Sequence, residues 1–322
     1  MTTFVPPAGP LRLASEVADA LAEGRAVVAL ESTIIAHGFP RPRNLQLAHD
    51  LEDLLRSHEV TPATIALLDG QAHIGLDEAQ LSRIAEDDEV AKASVRDLPV
   101  MLAQGRPAAT TVASTALLAH RAGIPVFATG GLGGVHREAH RTFDESADLT
   151  TLSRTPIVVV AAGVKSILDV PATLERMETL GITVVGYRTE RFPGFYVTDS
   201  GEPIGWRVED PEAAAATHRA ARALELEGAV LVVNPIAEAA QLDPRVHDRV
   251  LTESLAAADV QGIRGKDVTP FLLDHIQRAT GGASLEANVA AVTGNVALAG
   301  AIATALAAGV AAPGVTASGP HA

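Results

Sequence analysis

Six short apolar runs punctuate the chain, at residues 25–30, 64–68, 125–128, 156–161, 183–186 and 229–233. Each is nearly unbroken, which predicts strands buried on both faces rather than half-exposed strands of alternating polarity. Between them the apolar period lengthens. After Asn44, a good helix N-cap, Leu47, Ala48, Leu51, Leu54 and Leu55 form a helical stripe. A second stripe follows Ser166, through Leu168, Leu174, Met177 and Leu180. This alternation predicts an α/β fold with helices on both faces of a sheet. Residues 288–312 carry no charged side chain and are rich in Ala, Gly and Val, with two Asn and two Thr. They predict a buried packing helix of small residues rather than a membrane span. No repeat and no long Gly/Ser linker interrupts the chain, so one domain over residues 1–312 is expected, with 313–322 a disordered tail.

Composition then narrows the chemistry. The 322 residues include no cysteine, which excludes disulfides, thiolate metal sites and thiol catalysis. With 25 basic and 39 acidic residues the net charge is −14, unfavourable for non-specific binding to nucleic acid or anionic membrane. The first ten residues lack the pattern of a secretory signal, so a soluble cytoplasmic protein is expected. Only three of the 25 basic residues are lysines: Lys92, Lys165 and Lys266. Asparagine is equally scarce, at Asn44, Asn234, Asn288 and Asn295. Arginine replaces a surface lysine readily, but a guanidinium cannot attack a carbonyl. The surviving lysines are therefore candidates for amine chemistry.

Several predicted strands run into polar motifs: Glu31-Ser32-Thr33, Asp69-Gly70, Thr129-Gly130-Gly131, Gly163-Val164-Lys165-Ser166 and Asn234-Pro235. Ligands of open α/β sheets bind beyond the carboxyl ends of strands, so these motifs predict one site assembled from distant segments. Lys165 follows the apolar strand TPIVVVAAG. Partial desolvation there disfavours the ammonium and suits Schiff-base formation, with phosphate binding at a helix N-terminus the alternative. Glu31 follows RAVVAL and suits general acid work, or else caps a helix or pairs with a buried arginine. Asp144 and Asp148, in RTFDESAD, are hard oxygen donors for Mg²⁺ or Mn²⁺. The run TGGLGGVHR lacks GxGxxG spacing and fits either an anion or a tight turn. Thr110, Thr111, Lys92, Ser94 and Arg96 could add phosphate contacts. His136 lies within reach of such a site, whereas His37 and His73 read as structural or exposed.

The segments ALESTIIAHG, AKASVRDLP, ATTVAST, VFATGGLGGVHR, TFDESADL, AAGVKSILD, VVGYRTERFPGFY, VNPI and TPFLL together resemble the pseudouridine-5′-phosphate glycosidase family, also called indigoidine synthase A-like. The likeness runs in order from about Leu11 to Ala308. It implies a three-layer α/β/α domain with a mixed, largely parallel sheet, assembled as a homotrimer. It implies reversible cleavage of the C–C glycosidic bond of pseudouridine 5′-phosphate to uracil and ribose 5-phosphate, with Mn²⁺ and no organic cofactor. The family's nucleophilic lysine falls on Lys165, its proton donor on Glu31 and its metal-binding aspartate on Asp144. Substrate contacts fall on Lys92, Val112, Ser146, Ala147 and Asp148. Two departures stand out. The lysine motif reads GVKS where GAKS is usual, and Gly294 precedes Asn295 where two adjacent asparagines are common. No role falls on Lys266. A ribokinase-like kinase would need a GAGD-type anion hole near the C-terminus, which the sequence lacks. A Schiff-base aldolase would share Lys165 but ignore uracil. A non-catalytic binding protein would leave the lysines in these motifs unexplained.

Overall fold

The computed structural model describes residues 9–263 and 268–310. Lys266 and the 313–322 tail lie outside the described residues. Eleven strands form one sheet. In chain order they are β1 Leu11–Leu13, β2 Val27–Glu31, β3 Thr61–Leu68, β4 Gln71–Ile74, β5 Ala91–Ala93, β6 Ala108–Thr110, β7 Val126–Ala128, β8 Val158–Ala161, β9 Thr183–Tyr187, β10 Arg207–Val208 and β11 Val230–Val233. The main path runs β1-β4-β3-β2-β7-β8-β11-β9-β10, with β6 paired to β3 and β5 to β6. All pairings are parallel except β3 with β4 and β3 with β6. The mixed, mostly parallel sheet expected from the sequence is therefore present, and all six apolar runs are strands in it.

Both faces of the sheet are buried, which explains the unbroken apolar runs. In β2, Val27 and Ala29 pack on one side while Val28 and Leu30 pack on the other. In β8, Val159 and Ala161 oppose Val158 and Val160 in the same way. The first face carries helices α1 Ser15–Ala22, α5 Val112–Arg121, α7 Ala147–Leu152, α8 Val170–Thr179, α10 Pro244–Val260 and α11 Val268–Ala279. The second carries α2 Arg43–Ser57, α9 Pro211–Ala223 and α12 Ala283–Val310. The remaining helices are α3 Glu78–Glu86, α4 Leu98–Gln104 and α6 Ala139–Thr142, and Leu81, Ile84 and Ala85 of α3 share a core cluster with Ala66 and Leu68 of β3 and Ala109 of β6. Helix α12 is long and apolar enough to cross a membrane, but it packs across β2, β7 and β8 and between α2 and α9. Ala291, Val292, Val296, Ala299, Ile302 and Ala303 form its buried side. Its small residues let a helix lie close to the sheet.

Two local expectations are corrected. Asn44 does not cap α2. It is the helix's second residue, buried, and its amide donates to the carbonyls of Ile35 at 3.0 Å and Ala85 at 2.8 Å. Nor does a helix start at Ser166. The backbone makes a turn, Leu168 N–H to Lys165 O at 3.0 Å, and α8 begins at Val170 under the Asp169 side-chain cap. A helix N-terminus beside Lys165 is thereby removed as a phosphate site.

His218, on α9, is buried. Burial, then Arg222, His120 and Arg219, push its imidazole down to about 4. A depressed pKa means that the unfolded chain binds the extra proton first as pH falls. The stability tied to neutral His218 is therefore complete above pH ~6.5 and lost as pH drops towards 4, by about 3 kcal/mol in all. Urea midpoints measured across that window should fall for the parent protein. In His218→Gln the fall should be shallower by that amount, and an unchanged slope would contradict the assignment.

Candidate active site

The parallel strands β2, β7, β8 and β11 end along one edge of the sheet, and polar groups gather there. Glu31 is the last residue of β2. The hydroxyl of Thr129, just past β7, donates to its Oε1. Burial pushes the Glu31 carboxyl above the usual carboxylate range; the Lys165 charge and the Thr129 hydrogen bond pull the other way without cancelling it. Asp148 and Lys92 also act on Glu31, so four residues from distant segments share one electrostatic neighbourhood. A carboxyl raised in this way holds its proton more readily than an exposed carboxylate, the direction that general acid work requires.

A buried hydroxyl network supports the chain after Glu31. Ser32 Oγ donates to Ile65 O at 2.6 Å and accepts Thr110 N–H at 2.9 Å. Thr110 Oγ1 donates to the same carbonyl at 2.7 Å and accepts from Thr115 at 2.9 Å. Thr33 Oγ1 reaches Thr110 O at 2.8 Å. Thr110 thus ties strands together rather than presenting a hydroxyl to phosphate.

Lys165 lies on the turn after β8, half-buried, with its N–H on Leu132 O at 3.0 Å. The turn depends on Gly163, at φ +82°, where a Cβ would lie 2.3 Å from Pro193 O. Only glycine fits both the backbone angle and the space. Lys92 reaches the same place from β5. It keeps solvent contact, yet desolvation and then the Lys165 cation push it below the usual lysine range. His37, read from sequence as structural or exposed, sits beside Lys92, and burial and that cation lower its imidazole. His73 contacts Gln80 at 3.0 Å, away from the cluster.

The glycine run serves packing. A Cβ on Gly133 would lie 2.3 Å from Ser146 Oγ, and Phe195 lies against Gly131. Asp148 explains the close approach. Its Oδ1 accepts Ala113 N–H at 2.9 Å, in the first turn of α5, and its Oδ2 accepts Gly133 N–H at 2.8 Å. Val112 and the Ser146-Ala147-Asp148 run, separate in sequence, are thereby brought together. Of the three carboxylates in residues 144–148, Asp148 is held by backbone and Glu145 is paired with Arg176 at 2.9 Å. Asp144 remains partly exposed, 3.9 Å from His136 Nδ1. Burial, and behind it Lys165, hold His136 below the ordinary imidazole range against the pull of Asp144. Among the described residues, no group of three or more His, Cys, Asp or Glu gathers to hold a metal. One carboxylate and one neutral imidazole fit a hard ion that keeps most of its water or ligand oxygens.

Sequence reasoning left Thr129, Ser32 and Asn295 without roles. Asn295, on α12, is fully buried and donates to Thr129 O at 2.7 Å and Gly130 O at 3.2 Å. Its oxygen accepts from Asn234 Nδ2 at 3.1 Å. The scarcity of asparagine was the available signal. A Cβ on neighbouring Gly294 would meet only Asn234 Nδ2, at 3.6 Å. A larger residue there would stand beside this network. Asn288 Oδ1, about two turns earlier on the same face of α12, is buried near Gly130 and has no hydrogen-bond partner among the described residues.

Comparison with known proteins gives the family. The family profile described as indigoidine synthase A like protein matches residues 16–305. Proteins named pseudouridine-5′-phosphate glycosidase from Frankia alni and Streptomyces griseus are each 62% identical over 296 residues, 92% of this chain and 82% and 92% of theirs. Among solved structures, the prealnumycin C-glycosynthase AlnA in complex with ribulose 5-phosphate matches with TM-score 0.88 at 38% identity, over 95% of this chain and 99% of that one. An indigoidine synthase A-like protein from Thermotoga maritima matches with TM-score 0.83 at 36% identity, over 92% and 96% of the two chains. On its profile, its relatives and its fold, the chain belongs to the indigoidine synthase A-like family.

Proposed function

We propose that the protein is a pseudouridine-5′-phosphate glycosidase, which cleaves pseudouridine 5′-phosphate reversibly to uracil and ribose 5-phosphate. The observation that carries this reading is the meeting of an amine, Lys165, with a protonatable carboxyl, Glu31, beside a second amine, Lys92. The glycosidic bond joins C1′ to carbon 5 of uracil, so protonating a leaving nitrogen cannot help. An electron sink at C1′ is needed, and a lysine iminium supplies one.

Glu31 gives its proton to the ribose ring oxygen as the C1′–O bond breaks. Electrons from the uracil ring form a double bond between its C5 and C1′. The Lys165 amine adds to C1′ as the electrons of the C5=C1′ double bond return to the uracil ring. The proton lost by the attached nitrogen passes through the Glu31 carboxylate to C5, and the C1′–C5 bond then breaks, its electrons restoring the C5=C6 double bond. The Lys165 nitrogen lone pair forms the C1′=N bond, and uracil leaves. Water then adds to the iminium and releases ribose 5-phosphate, so the net reaction consumes one water. Lys92 supplies charge for the phosphate, and Val112, Ser146, Ala147 and Asp148 shape that side of the site. Remote phosphate binding helps to position the reacting carbon. Asp144 and His136 would hold a Mn²⁺ ion, whose positive charge would stabilise ligand oxygens. A cytoplasmic homotrimer without an organic cofactor completes the reading, and sedimentation equilibrium tests the assembly.

The direct test incubates the purified protein with uracil, ribose 5-phosphate and Mn²⁺, with a chelated control, and analyses the products by mass spectrometry. A metal-dependent C-glycoside phosphate is expected; folded protein giving no product contradicts the reading. Lys165→Arg keeps the charge but cannot form an imine, and turnover should disappear. Glu31→Gln should lose about 10²–10⁴-fold in turnover, the usual worth of a positioned acid. Asp144→Ala should raise the Mn²⁺ concentration needed for half-maximal rate, whereas an unchanged metal titration would remove Asp144 as ligand.

A further inference from the structure

Helix α12 contributes one fully buried polar side chain to the edge where the site forms. Asn295 lies 166 residues from Thr129 in sequence and on the opposite side of the sheet from the α5 and α7 helix starts. Both donor hydrogens of its amide are used, on Thr129 O at 2.7 Å and Gly130 O at 3.2 Å. Its acceptor is used by Asn234 at 3.1 Å, from the end of β11. The two carbonyls fix which end of the amide is nitrogen. The Thr129 N–H is bound separately, to Val160 O of β8 at 3.0 Å. The peptide groups on both sides of the Thr129 Cα are therefore anchored, and the hydroxyl that this backbone carries donates to Glu31.

From this geometry we propose that Asn295, braced by Asn234, is a positioning residue for Glu31: it fixes the Thr129 backbone so that the hydroxyl stays on the carboxylate. The catalytic meaning of that positioning rests on the glycosidase reading above. Docking of α12 alone does not account for the asparagine. Apart from Ser284 in its first turn, the other buried residues of the helix are Ala, Val, Leu and Ile, and an apolar residue at 295 would dock without the cost of desolvating an amide. An aspartate of the same shape would turn an acceptor towards two carbonyl oxygens. Only an amide satisfies two acceptors and one donor at this point. The arrangement also gives a reason for Asn234 and Asn295 in a chain with four asparagines.

The charged groups acting on Glu31 are Lys165 on the turn after β8, Lys92 on β5 and Asp148 on α7, and none of them touches Asn295 through a hydrogen bond described here. A shift in Glu31 on changing Asn295 therefore reports the Thr129 connection. The Thr129 hydroxyl favours the ionised carboxylate, so releasing it should move the Glu31 titration upward. The test follows the Glu31 carboxyl by ¹³C NMR in the full-length protein without substrate, assigned by its loss in Glu31→Gln. Thr129→Val, which removes the hydroxyl at nearly constant volume, sets the reference upward shift. Asn295→Ala should shift Glu31 in the same direction. The double variant should shift no further than Thr129→Val alone. With pseudouridine 5′-phosphate, Asn295→Ala should lower kcat about 10-fold with KM little changed, within the ~10²–10⁴ that a whole acid supplies.

A Glu31 titration in Asn295→Ala identical to the parent, with the Thr129→Val shift present, overturns the proposal. So does an additive double variant. If Asn295→Ala does not fold, Asn234→Ala decides. A smaller upward shift supports the proposal, and a parental titration contradicts it. Because the titration uses no substrate, it stands apart from the functional reading. A parent protein that fails to turn over pseudouridine 5′-phosphate refutes that reading, while the titration still decides whether Asn295 positions Glu31.

Discussion

One buried carboxylate holds the two walls of the site together. Asp148 accepts a backbone N–H from the first turn of α5 with one oxygen and from the glycine run with the other. Neither segment could approach the other so closely if its backbone donor lost that partner. An unsatisfied buried donor costs about 1–3 kcal/mol, and hydrogen bonds to a charged group are the stronger kind. The glycine at 133 follows from the same constraint, because any side chain there would collide with Ser146 and Asp148. What the sequence leaves open between an anion loop and a tight turn is a loop that must pass close to a carboxylate. With that bridge in place, Lys165, Glu31 and Lys92 face one another across the edge of the sheet.

The distribution of carboxylates gives each a separate task. Asp148 is consumed by structure, Glu145 by Arg176, and Asp144 is left beside a neutral imidazole. For Glu31, burial is the largest influence on the carboxyl, with the Thr129 hydroxyl its hydrogen-bond partner. Desolvation keeps it protonatable, and the Thr129 hydroxyl orients it. Burial raises the Glu31 carboxyl and lowers the Lys92 amine, so the fold draws the proton affinities of an acid and an amine towards each other in one site.

The sequence made the central sheet legible because its strands are buried on both faces, so apolar runs such as 156–161 carry no competing period. The strands it did not reveal, β1, β4, β5, β6 and β10, are short, and β4 and β6 enter the sheet antiparallel to β3. Asn44 misled because an asparagine before a helical stripe signals a cap, and tertiary contact with Ile35 and Ala85 overrode that local preference. The turn after Lys165 misled for a related reason: the Leu168 and Leu174 stripe continues through residues that are not yet helical. Lys165 and Glu31 were legible because strand ends and scarce residue types mark them. Thr129 and Asn295 were not, since their meaning lies in a contact across 166 residues that no local spacing encodes.

The central claim is that the Lys165 amine bonds covalently to the sugar carbon released from the base. Borohydride reduction of the protein in the presence of ribose 5-phosphate, followed by peptide mass mapping, tests it most directly. The account predicts a reduced pentose-phosphate adduct on the peptide containing Lys165 and none on that containing Lys92. An adduct confined to Lys92, or its absence from a protein that turns over pseudouridine 5′-phosphate, would contradict it.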